Sequence, residues 1–224
     1  MTKPFYAEPI LNSPYTVPTR HHSLSESGEP LDHPPIEGRR RSEYVAPVPR
    51  SRRTKNQMKK QTSLDLDQQD QGANSYNLSK LINEIRGHVG TWRSLPNPND
   101  WGVTPTTQRL LEHWRSDNFS GPRPFFCQVE AVETAIWLAE VARNRKQYAH
   151  IFRHLQEANR DANPDLFRIA LKLATGAGKT TVMAMLIAWQ AINAARQPNS
   201  SLFSRGFLLI APGITIKDRL RVLV

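Results

Sequence analysis

Eight residues, Ala174-Thr175-Gly176-Ala177-Gly178-Lys179-Thr180-Thr181, have the types and spacing needed to hold a phosphate chain. Gly176 and Gly178 free the backbone to bend so that successive N–H groups gather as an anion nest. A helix beginning at Lys179 would add the partial positive charge of its N-terminus at the same point. Lys179 is placed to reach β- and γ-phosphates and to serve any phosphoryl transfer there. The Thr180 hydroxyl is placed to ligate Mg²⁺. Thr175, Ala177 and Thr181 complete the loop. One position departs from the phosphate-loop pattern. Leu173 stands where a small residue is usual, five places before Gly178.

Such a loop needs a strand before it and a helix after it. The stretch FRIALKL (167–173) reads as the strand, and residues from about Lys179 to Ala195 as a long helix. That helix is apolar nearly all round, as expected of one buried between layers. A polar connector follows, then a second apolar stretch, FLLIA (207–211), and after Pro212-Gly213 a helix from about Thr215. Strand–helix–strand–helix order predicts an α/β fold, an incomplete P-loop parallel sheet with flanking helices.

Upstream, apolar residues at Leu78, Leu81, Ile82, Ile85, Val89 and Trp92 recur at helical spacing. Thr104 followed by Pro105 predicts the capped start of a second helix, with Leu110, Leu111 and Trp114 on its face. FFCQVEAVETAIWLAEVARNRK predicts a long helix from Phe125, and a mostly polar stretch after it predicts a surface helix. Residues 1–75 are poor in aliphatics and rich in Pro, Ser, Arg and His. They are expected to be extended or disordered unless they lie on a partner or on the rest of a larger protein. The chain thus divides into a basic arm (1–75), accessory helices (76–120) and a nucleotide-binding part (121–224).

Composition narrows the class. Hydrophobic residues make up 38% of the 224, and the formal net charge is +10. The charge is local: between Glu37 and Lys60 nine basic residues face two acidic ones, a net +7 in 24 residues. A polyanion such as nucleic acid is the implied partner. A single cysteine, Cys127, excludes an internal disulfide and a multi-cysteine zinc site, and a reducing cytoplasm is the expected compartment. The first residues lack a signal pattern. The longest apolar run, Val182–Trp189, is far short of the roughly 20 residues of a membrane span.

Three segments in order carry a family resemblance. RPFFCQVEAVETA (123–135) resembles the glutamine motif that precedes the first core helix of superfamily 2 helicases; ATGAGKT is their phosphate loop; FLLIAPGITIKDRL (207–220) resembles their motif Ia. Together with NSPYTVPTRHHSLSESGEP and EGRRRSEYVAPVPR in the arm, the chain resembles the N-terminal part of type III restriction enzyme Res subunits and their DEAD/DEAH-like relatives. The resemblance implies a RecA-like ATP-binding domain using ATP and Mg²⁺. It puts Arg123 and Gln128 beside the adenine, and Gly213, Thr215 and Lys217 on the DNA backbone. Double-stranded DNA and a modification methyltransferase subunit are the implied partners. No acidic Mg²⁺ motif or second lobe is found in the sequence, so this chain alone is expected to bind ATP with almost no turnover. The competing expectation is a basic DNA- or protein-binding module whose phosphate loop is vestigial.

Overall fold

The computed structural model describes residues 4–25, 27–43, 78–119, 121–162, 165 and 167–210. Among the described residues six helices carry the fold: α1 (Pro4–Ala7), α2 (78–93), α3 (Pro105–Arg115), α4 (Phe126–Ile136), α5 (Ala149–Ala162) and α6 (Lys179–Arg196). In α2 the stripe of Leu81, Ile85, Val89 and Trp92 is buried, and the polar residues between them stay at the surface. The Trp92 indole N–H finds the carbonyl of Trp101 at 2.8 Å, which pins the 3₁₀ turn Pro98–Trp101 under α2. The start of α3 follows from its sequence. The Thr104 hydroxyl accepts the Thr107 N–H at 3.1 Å, and Pro105 occupies the first helical position.

α4 does not end at Ile136 but widens into a π-helical turn, Trp137–Ala142. The turn buries Trp137, Leu138, Val141 and Ala142 in the main core. It also places the Glu140 carboxylate between α3 and α6. Glu140 accepts from the Thr104 N–H (2.8 Å), the Thr107 hydroxyl (2.7 Å) and the Trp189 indole N–H (2.7 Å). Asn193 of α6 closes this network, donating to Thr107 at 2.9 Å. No cation contacts Glu140 among the described residues. Burial raises its carboxyl above the ordinary value, against the pull of these three hydrogen bonds. The native value lies above 4.5, so within that window the folded protein holds a proton that the unfolded chain has released. Stability therefore falls as pH rises through the window. Melting temperatures recorded upward from pH 4.5 should show this fall, and Glu140→Gln should remove it; a variant with the wild-type slope would exclude Glu140 as its source.

The parallel sheet expected from the sequence is not formed. Among the described residues the one sheet is antiparallel and two-stranded, β1 (Arg20–His21) against β2 (Ile36–Glu37), both in the N-terminal arm. The two segments read as core strands, 167–173 and 207–211, run without ladder hydrogen bonds over their described residues, Ala211 lying outside them. Apolar composition gives a segment the propensity to be a strand, but the strand exists only through a hydrogen-bonded neighbour, and neither has one here. Several of their apolar side chains are correspondingly open, Leu208 at 85% and Ile210 at 84% exposure, while Leu171 and Leu173 are half-buried against the helical core. The RecA-like α/β description is thereby replaced by a helical one. α6, expected to be covered on all sides, buries one face only, through Val182, Met185, Trp189, Asn193 and Ala194.

The arm from Pro4 to Glu43 lies on the helical body, held by polar contacts in place of apolar burial. The Asn12 amide accepts the backbone N–H groups of Thr19 (2.8 Å) and Arg20 (3.1 Å) and donates to the Arg20 carbonyl. The Pro14 carbonyl accepts the Phe126 N–H at 2.8 Å, at the first turn of α4. Arg39 forms a bidentate pair with Glu130 of α4, and the Ser42 backbone exchanges two hydrogen bonds with the Asn83 amide of α2. Burial works to raise the Glu130 carboxyl. The Arg39 hydrogen bonds and the charges of Arg39 and Arg93 outweigh it and hold the group below its ordinary value.

Candidate phosphate-binding site

The loop between the extended segment 167–173 and α6 is sharply curled. Gly176 and Gly178 both adopt left-handed backbone, with φ of 81° and 75°, a conformation that glycine takes without steric cost. Within the curl, the Ala177 N–H reaches the Ala174 carbonyl at 3.3 Å and the Thr181 N–H reaches the Gly178 carbonyl at 3.0 Å. Among the described residues the amides of Gly176, Gly178, Lys179 and Thr180 have no protein acceptor. A bent loop thus leads into an 18-residue helix with a run of unspent donors at the junction. The Lys179 ammonium folds back over the loop and donates to the Ala174 carbonyl at 2.8 Å.

Gln128 supports the loop from the side. It sits in the first turn of α4 and is buried. Its amide oxygen accepts the Phe125 N–H at 3.0 Å and its amide nitrogen donates to the Ala177 carbonyl at 2.9 Å. The side chain therefore satisfies an orphan donor at the start of α4 and ties that helix to the phosphate loop. A Cβ built on Gly178 would overlap the Gln128 amide nitrogen. Gly178 is thus required twice, for its positive φ and for the space that Gln128 fills. This bracket was not foreseen in the sequence, where Gln128 carried only an adenine-side expectation.

Arg123 lies apart from Gln128's contacts. It pairs with Asp117 at 2.5 Å, and its guanidinium stands 5.4 Å from the Tyr15 ring centre. Tyr15 in turn packs on Phe125 with ring centres 5.7 Å apart. Thr180 is half-buried, and Thr175 and Thr181 are exposed. Cys127 is exposed and engages in no chemistry with the loop. Gly213, Thr215 and Lys217 lie outside the described residues. No cluster of three His, Cys, Asp or Glu suited to a metal occurs among the described residues. A Mg²⁺ ion here would therefore come with the phosphate oxygens, and the Thr180 hydroxyl would be a single added ligand. The donor set of the loop, four amides and an ammonium, fits an anionic phosphate chain.

No protein-family model, curated protein or solved structure matches this chain. No helix among the described residues is long and apolar enough to cross a membrane.

Proposed function

We propose that residues 174–181 bind the phosphate chain of Mg²⁺-ATP, and that the chain is the ATP-binding portion of a restriction-type DNA translocase. The observation that carries the nucleotide reading is the paired left-handed glycines with the Lys179 ammonium closing over the same curl. Unspent backbone donors supply the cradle, the lysine supplies charge, and Gln128 fixes the loop against α4. The translocase lineage rests on the order of the three sequence motifs and not on the fold.

Titration calorimetry with Mg²⁺-ATP tests the nucleotide reading. Lys179→Ala removes a charge-assisted hydrogen bond, and binding should weaken roughly 10- to 100-fold. Affinity unchanged in this variant, with wild-type melting, would exclude the loop as the site. The second reading, a nucleic-acid- or protein-binding module with a vestigial loop, is favoured by the arm's ordered seat on α2 and α4. It predicts that duplex DNA binds and ATP does not.

A further inference from the structure

The β1–β2 pairing brings two basic stretches of the arm together. His21 stands opposite Ile36, and its Nδ1 lies 2.8 Å from the Gly38 carbonyl. Gly38 turns the chain with φ of 96° and donates to the Thr19 carbonyl at 2.6 Å. An open pocket of about 420 Å³ results, walled by His21, His22 and Ser23 on one side and by Arg39, Arg40 and Arg41 on the other. Glu43 is the one acidic residue that lines it.

The backbone of 39–42 is clamped to the body along its length. Arg39 is bound to Glu130, the Arg40 carbonyl accepts from Arg86 at 3.2 Å, and Ser42 is held by Asn83. Arg39 is thereby neutralised, but the exposed guanidinium groups of Arg40 and Arg41 meet no carboxylate among the described residues. His22 has its Nε2 2.9 Å from the Glu8 carbonyl, and its Nδ1 is buried with no protein partner. Like charge is crowded nearby: burial and the Arg39 charge together lower the Arg86 guanidinium. A held backbone that presents two guanidinium groups with no carboxylate partner is an anion seat.

We propose that this pocket is a docking seat for backbone phosphates of duplex DNA, with Arg40 and Arg41 contacting adjacent phosphates. A polyanion is favoured over a small metabolite by two observations. The pocket is open on its solvent side, and the chain leaving it carries six more basic residues, Arg50 to Lys60, with no acidic residue between Glu43 and Lys60. The contacts carry charge and no base information, so the binding is independent of sequence. This inference stands on the arm alone and is independent of the ATP reading.

The test uses the full chain and a fluorescent 20-base-pair duplex (roughly two helical turns), with anisotropy followed across a salt series. Arg40→Ala/Arg41→Ala should weaken binding roughly tenfold at low salt and reduce the salt slope by about two. Lys146→Ala/Arg153→Ala, an equal loss of charge at exposed positions away from the pocket, should leave the slope unchanged. Equal slopes for the two double variants would overturn the proposal. So would a pocket that takes inorganic phosphate, or phosphatidylserine vesicles, with an affinity dependent on Arg40 and Arg41 while duplex binding is indifferent to them. Melting curves identical to wild type for both variants ensure that the comparison reads charge and not unfolding.

Discussion

Glu133→Ala is expected to cost about 3–5 kcal/mol of unfolding free energy, because it leaves the largely buried Arg115 without a counter-charge and leaves Arg93 only its longer contact to Glu130. Glu133 is fully buried on α4. Its two oxygens are divided between Arg93 of α2, at 2.5 Å, and Arg115 of α3, at 2.8 Å. Both guanidinium groups are hemmed in by aromatic faces: Arg115 stands 4.3 Å from the Trp101 ring centre, and Arg93 stands 4.8 Å from that of Phe126. Burial already lowers the Arg115 guanidinium, opposed chiefly by Glu133, and its Nη2 is buried with no partner. Urea unfolding should show the loss as a lower midpoint with little change in slope. Glu133→Gln, which keeps the volume and one acceptor, should fall between wild type and alanine. A loss below about 1 kcal/mol in Glu133→Ala would mean that the Glu133 ion pairs contribute no more than exposed ones do.

The second large effect couples stability to the phosphate loop. Gly178→Ala forces a side chain into left-handed backbone, at about 1–2 kcal/mol. It also drives the Gln128 amide from its place, losing two part-buried hydrogen bonds at about 1 kcal/mol each. The sum is roughly 3 kcal/mol, and Mg²⁺-ATP binding should be lost with it. Gln128→Ala removes the overlap in advance. The double variant should therefore be less destabilised than the two single losses added together, by about 1 kcal/mol or more. Strict additivity would show that Gln128 moves aside freely and does not hold the loop.

The local features of this fold were open to reading, and its long-range ones were not. The α2 stripe, the Thr104 cap and the Gly-rich bend each depend on residues within one or two turns of one another, and periodicity and cap chemistry report such neighbours. Glu130 and Glu133 offered a further clue: they interrupt an otherwise apolar face of α4, where only partnered carboxylates are tolerated. Their partners Arg39, Arg93 and Arg115 lie 91, 40 and 18 residues away, and spacing gives no sign of them. The sheet was misjudged for a related reason. FRIALKL and FLLIA have strand composition, but pairing is a property of two segments, and one segment's composition does not supply the other. Gln128 was singled out for contact with an adenine, and its amide instead engages the protein in this structure. Its buried engagement with Phe125 and Ala177 depends on how α4 meets a loop 49 residues further on.

The Lys179 ammonium rests on the Ala174 carbonyl at 2.8 Å. An ammonium carries three N–H donors, so this bond leaves two of them for an arriving anion. The carbonyl tethers the lysine beside the loop, and an anion would meet a cation already positioned without first displacing a protein contact. Such a site should spend little of its binding free energy on ordering that side chain.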